Sequence, residues 1–110
     1  MSYAKQVDKN HGDIRDGLRE LGFQVEDTSR VGKGFPDLMV GGVHRCTGMG
    51  VIVLVEVKRK GGELTGDQEV FHDRWRGFPV LVAYDLGDVL IRGFCWTPQE
   101  AEEVSRTATV

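Results

Sequence analysis

Apolar patterning along this chain predicts an α/β sandwich in which a mixed β-sheet lies between helices. Three observations carry that prediction. Val51 to Val55 and Val80 to Ala83 are unbroken apolar runs of strand length. Ile14, Leu18 and Leu21 repeat at helical spacing and are followed by Gly22. Thr65-x-x-Gln68 and Thr97-x-x-Glu100 have the spacing of capping boxes, in which a helix's first side chains and backbone donors satisfy each other. The resulting order is helix, three mostly antiparallel strands, helix, strand, helix.

Asn10-His11-Gly12-Asp13 marks the start of the first helix, with Asn10 as cap, Asp13 in the first turn and Gly22 as the stop. Phe23 and Val25 alternate with Gln24 and Glu26, the pattern of a short strand with one wet face. Arg30 to Pro36 is a glycine-rich turn, and Asp37 to Val40 begins a second strand. Gly41 to Gly50 reads as a broad hairpin connection into the third strand, whose run from Val51 to Val55 fits burial on both sides. A second helix is expected from Gly66 to Arg76. Val80 to Ala83 leave no polar face, which predicts a central strand. Asp85 to Arg92 fits a short helix or an edge strand, with the helix preferred. Pro98 in a first turn after Thr97 predicts a terminal helix to about Arg106.

With 110 residues and 40% apolar content, the chain is expected to form one domain, residues 1–110, around one core. It contains no run of 18 apolar residues, and MSYAKQVDKNHGD lacks the apolar stretch of a secretory signal, so a cytoplasmic protein without a membrane partner is expected. Cys46 and Cys95 are far apart in sequence and read as reduced thiols, one in a loop and one near the core. The net charge of -3 argues against broad, charge-driven binding of nucleic acid. Charge is segregated, however. Acidic residues collect at Glu100, Glu102 and Glu103, and basic ones at Lys58-Arg59-Lys60 and at Arg74 and Arg76, which leaves room for a local basic groove.

The third strand ends in charge. Side chains alternate along a strand, so Ile52, Leu54, Glu56 and Lys58 share one face. A hairpin between the second and third strands can set Asp37 opposite Glu56. Two carboxylates and a lysine then converge. Mg²⁺ typically takes one or two protein carboxylates and keeps several waters, which Asp37 and Glu56 satisfy, with the Val57 backbone carbonyl as a third oxygen. Lys58, about 7 Å further along the same face, is placed to orient a water or neutralise a phosphate.

Gly34-Phe35-Pro36-Asp37-Leu38, then Glu56-Val57-Lys58, then Leu64-Thr65-x-x-Gln68 resembles the PD-(D/E)xK nuclease superfamily, and within it the VRR-NUC (virus-type replication-repair nuclease) domain. The resemblance spans Asn10 to Val89. It implies a restriction-endonuclease-like core of order αβββαβ and a metal-dependent DNA endonuclease leaving 5′-phosphate and 3′-hydroxyl ends. It also implies Asp37 and Glu56 as ligands of Mg²⁺ or Mn²⁺, Lys58 as catalytic lysine and Gln68 as a site-lining residue. The family's small stand-alone phage and bacterial members imply a bacterium or a phage-infected cell as the setting, and together with Holliday-junction resolvases they suggest a homodimer acting on branched DNA. Where many relatives carry a glutamate on the first helix, this chain offers only Asp8, His11 and Asp13. The alternative is a non-catalytic nucleic-acid-binding module on the same fold.

Other residues admit plainer readings. Gln68 can be the capping-box residue, line the cleft, or do both, and His11 can be a solvated residue near a cap or a site residue. Gln68, His72 and Arg76 fall at successive i+4 positions, a polar stripe able to face a phosphate backbone, although His72 fits an ordinary solvated face. Lys33, Arg59, Lys60, His72 and Arg76 are the candidate DNA contacts. Phe71 and Trp75 form a parallel stripe read as core, and Trp96 is read as packing. For a dimer interface, the Gly41 to Gly50 loop and an apolar face around Phe94 and Trp96 are the two candidates.

Overall fold

The computed structural model describes the backbone from Ser2 to Ala108 and the side chains of residues 9–106. Four strands, β1 (Gln24–Asp27), β2 (Leu38–Val43), β3 (Gly50–Val57) and β4 (Val80–Ala83), form one sheet in chain order. The first three are antiparallel neighbours, and β4 joins β3 in parallel. A parallel pair needs a crossover, and α2 (Gly66–Arg74) lies in that connection. The remaining helices are α1 (Ser2–Glu20), α3 (Leu86–Asp88) with a π-helical turn at Val89–Gly93, and α4 (Pro98–Ala108). The chain is thus an α/β domain, a four-stranded mixed sheet flanked by helices.

Alternation along β3 separates a dry face from a partly open one. Val53, Val55 and Val57 are buried with Leu38 and Val40 of β2, Leu81 and Ala83 of β4, Ile14 and Leu18 of α1, and Val89, Leu90 and Phe94 beyond β4. Each valine, leucine, isoleucine or phenylalanine among them, fully buried, contributes about 1.5–3 kcal/mol, so this layer supplies the main hydrophobic drive. On the other face Ile52 is 60% exposed, Leu54 is half-buried, and Glu56 is 1% exposed. The expectation of burial on both sides therefore fails for the first half of the strand. Only the C-terminal end of that face is covered, where Gln68 of α2 reaches Glu56 and Phe71 packs against Phe35 at 5.2 Å between ring centroids.

Several boundaries differ from expectation for identifiable reasons. Helix α1 begins at Ser2, so Asn10 is an interior residue rather than a cap. Its amide finds acceptors outside the helix instead, donating to the backbone carbonyls of Lys58 (3.0 Å) and Tyr84 (3.2 Å). Strand β4 lies at the sheet's edge, not its centre. Side chains satisfy part of that edge, since Arg92 Nη1 donates to the Val82 carbonyl at 2.6 Å and Asp88 Oδ2 accepts the Tyr84 amide at 2.7 Å. Gly41 and Gly42 are within β2, and the connection proper is the turn at residues 44–49. Helix α2 stops at Arg74, with Trp75 as its C-cap, so Arg76 lies beyond the helix and off the stripe of Gln68 and His72. The preferred helix after Asp85 and the Thr97–Glu100 capping box are both present.

Cys46 and Cys95, read from sequence as separate thiols, are joined in a disulfide with Cα atoms 5.9 Å apart. Separation along the chain said nothing about separation in space. The turn between β2 and β3 folds onto the bend after Phe94, where the Arg45 amide donates to the Phe94 carbonyl at 2.9 Å and fixes the two cysteines side by side. Phe94 itself is fully buried, which removes it from any dimer interface.

Candidate metal centre

The β2–β3 ladder sets Leu38 opposite Val55, so one further step puts Asp37 opposite Glu56. Asp37 is held from both sides. Its Oδ2 accepts the Val57 amide at 2.9 Å, and its carbonyl accepts the Thr28 amide at 2.8 Å. The Thr28 hydroxyl also donates to the Pro36 carbonyl at 2.7 Å, anchoring the approach to β2. Nothing in the local sequence marks Thr28 for this role, because the bond depends on where β1 ends relative to a turn eight residues on.

Glu56 is the one buried charged residue of the described core. Gln68 Nε2 donates to its Oε2 at 3.1 Å, while Oε1 is buried without a hydrogen-bond partner. Burial, followed by the facing Asp37 carboxylate, pushes the Glu56 carboxyl up to about 8, and the Lys58 ammonium opposes that rise. Two carboxylates facing each other in a dry site cannot both ionise cheaply unless a proton or a cation lies between them. Gln68 keeps its helix-capping role at the same time. Its Oε1 accepts the Thr65 amide at 2.8 Å and its own amide donates to Thr65 Oγ1 at 3.3 Å.

Lys58 follows the last residue of β3, half-buried, with its amide bonded to the Ala83 carbonyl at 3.0 Å. His11 and Asp13 turn elsewhere. His11 Nε2 lies 3.6 Å from Asp27 Oδ2, and Asp13 accepts from Lys9 at 2.9 Å. Asp27 shares its sheet face with Val25 of the core, whereas Glu56 points to the opposite face. The side chain of Asp8 lies outside the described residues.

The basic candidates are distributed around α2 and the strand tip. Lys33, Arg59 and Lys60 are exposed in the turns that follow β1 and β3. Arg76 is exposed and ion-paired with Asp73. His72 departs from the solvated reading, being half-buried, with Nε2 enclosed and unpartnered and its pKa lowered by burial. Phe71 is buried as expected, but Trp75, stacked on it at 5.6 Å, is 38% exposed.

Asp37, Glu56 and the Val57 carbonyl make an oxygen-only donor set suited to a hard divalent cation. Oε1 of Glu56 supports the fit, since a buried carboxylate oxygen without a donor is what a cation would satisfy. No family model matches the chain, and comparisons with curated proteins and solved structures likewise give no match.

Proposed function

We propose that the chain is a Mg²⁺- or Mn²⁺-dependent endodeoxyribonuclease of the PD-(D/E)xK type, resembling VRR-NUC domains, with its sheet serving as a restriction-endonuclease-like core. One observation carries this reading: Glu56 is buried at the strand tip opposite Asp37, with one carboxylate oxygen unpartnered.

Asp37 and Glu56 would hold the cation, with the Val57 carbonyl beside them. The cation, when bound, would polarise the scissile phosphate and acidify the attacking water. Gln68 holds Glu56 in one rotamer through its 3.1 Å bond, and the Val57 amide does the same for Asp37. Lys58 supplies a positive charge next to this pair, positioned to orient a water or to offset charge on the phosphate. Lys33, Arg59 and Lys60, exposed in the turns that follow β1 and β3, would contact the DNA backbone, with His72 and Arg76, on and just beyond α2, as further contacts.

A single short basic border neutralises few phosphates, and pairing two through a twofold axis would raise affinity and set a spacing between two cuts. A homodimer on branched DNA follows, with the segment at residues 41–50 and the half-buried Trp96 as the remaining interface candidates. The test is cleavage of single-stranded, duplex, flap and four-way-junction DNA with Mg²⁺, Mn²⁺ or EDTA, together with light scattering. Asp37→Asn, Glu56→Gln and Lys58→Ala should each abolish most cleavage, and calorimetry should show weaker Mn²⁺ binding in the two carboxylate variants only. DNA binding without metal-dependent cleavage would instead establish a non-catalytic binding module.

A further inference from the structure

We propose that His44, Cys46 and Cys95 form a second metal site, selective for a thiophilic cation such as Zn²⁺ and open only when the Cys46–Cys95 disulfide is reduced. Among the described residues these three are the group of His, Cys, Asp and Glu ligands that converge, one imidazole nitrogen and two sulfurs all within 4.8 Å of one another. Bonds of about 2.0–2.3 Å from one Zn²⁺ to nitrogen and sulfur set ligand atoms about 3.5–3.8 Å apart. The two sulfurs, bonded to each other in the disulfide, must therefore move apart on reduction to share the ion, and three protein ligands leave a fourth position for water.

The surrounding backbone keeps the three groups together without the disulfide. The amides of Thr47 and Gly48 both donate to the His44 carbonyl, and the His44 amide donates to the Met49 carbonyl at 2.8 Å, closing the turn that carries His44 and Cys46. The Arg45 amide ties that turn to Phe94, next to Cys95. Arg45 adds a second tie, its guanidinium lying 3.5 Å over the Trp96 ring and pairing with Glu100 at 2.6 Å. Reduction therefore leaves two thiols and an imidazole held in one place.

The chemistry closes on itself. A dithiol reductant passes two electrons and two protons to the disulfide, the S–S bond breaks, and the reductant leaves as its own disulfide. Zn²⁺ then takes both sulfurs as thiolates and releases two protons, and the neutral imidazole adds without proton loss. Soft sulfur and nitrogen ligands here and hard carboxylate oxygens at Asp37 and Glu56 discriminate between cations, so the two centres would load independently. They also lie apart, since Gly50 and Glu56 are at opposite ends of β3, about 20 Å at strand rise.

The experiment uses the full chain, reduced with a dithiol, freed of reductant under argon and titrated with Co²⁺ as a spectroscopic substitute for Zn²⁺. Expected are a thiolate-to-cobalt charge-transfer band and the intense visible bands of a four-coordinate ion, both removed by Zn²⁺ and both absent from oxidised protein. Cys46→Ser and Cys95→Ser should weaken the charge-transfer band, and His44→Ala should bind Co²⁺ less tightly. Glu56→Gln should leave every band in place, which separates this site from the carboxylate centre. In a second measurement Zn²⁺ should slow reoxidation of the thiols in the wild type but not in His44→Ala. Absence of the bands in reduced, folded protein, unchanged affinity in His44→Ala, or loss of circular dichroism on reduction that Zn²⁺ does not restore would each overturn the proposal.

Discussion

Gln68 joins a helix cap to a buried carboxylate: its Oε1 accepts the Thr65 amide at 2.8 Å while its Nε2 donates to Glu56 Oε2 at 3.1 Å. The first turn of α2 is thereby locked to the tip of β3. Thr65→Ala removes only the cap and should cost about 1 kcal/mol. Gln68→Ala removes the cap's other half and also strips Glu56 of its donor, so a loss of about 2 kcal/mol or more is expected. Mn²⁺ affinity separates the two further, changing in Gln68→Ala and holding in Thr65→Ala. Urea unfolding with calorimetry checks both, and equal effects would reduce Gln68 to a capping residue.

The raised Glu56 carboxyl makes stability depend on pH. Its ordinary value is 4.5 and its folded value about 8, so between those limits the folded chain holds a proton that the unfolded chain has released. This group's contribution is complete below about pH 4.5 and is lost as pH rises toward 8. The slope reaches at most about 1.4 kcal/mol per pH unit. Metal-free protein should therefore unfold more easily in urea at pH 8 than at pH 5.5, and Glu56→Gln should flatten that difference. An unchanged slope in the variant would place the linkage elsewhere.

The pairing of Asp37 with Glu56 is legible in the sequence because strand alternation and hairpin register are set by residue counting. Once Val51 to Val57 is a strand and Asp37 begins its neighbour, Glu56 and Asp37 have few other places to meet. An asparagine before a run of helical periodicity has the same signature whether it caps a helix or, like Asn10, reaches out of one. Position of β4 at the edge was hidden for a related reason: an apolar run reports buried faces and says nothing about which edge is paired. The cysteine pair left no local signal at all, since 49 residues separate its members.

Asn10 itself yields a prediction. Its amide holds α1 to the ends of both parallel strands, through the Lys58 and Tyr84 carbonyls. Asn10→Ala should cost about 1–2 kcal/mol, from two lost bonds at a partly buried position. Asn10→Asp should be worse, because a carboxylate has no hydrogen to give to either carbonyl. Cleavage should fall in both, as the Lys58 backbone loses its anchor, while Mn²⁺ affinity is retained. Guanidinium melts and single-turnover cleavage measure the two effects, and stability equal to wild type in both variants would dismiss the bridge.

A matched pair of glycines tests whether the turn before β2 positions α2. Gly32 and Gly34 both adopt φ of +81°, a backbone conformation that costs a side-chain-bearing residue about 1–2 kcal/mol. They differ in what lies beside them. A Cβ on Gly32 would meet open space, whereas one on Gly34 would collide with the Asp67 carbonyl and the Gln68 amide, backbone atoms of the first turn of α2. Gly32→Ala should therefore show only the conformational cost. Gly34→Ala must in addition push α2 away, which draws Gln68 Nε2 off Glu56 and loosens the carboxylate pair. We expect it to lose at least about 1–3 kcal/mol more than Gly32→Ala, the range in which overpacking falls, and to bind Mn²⁺ more weakly. Urea unfolding and calorimetry on both variants decide the matter, and matching losses with unchanged Mn²⁺ affinity would show that α2 keeps its place without this contact.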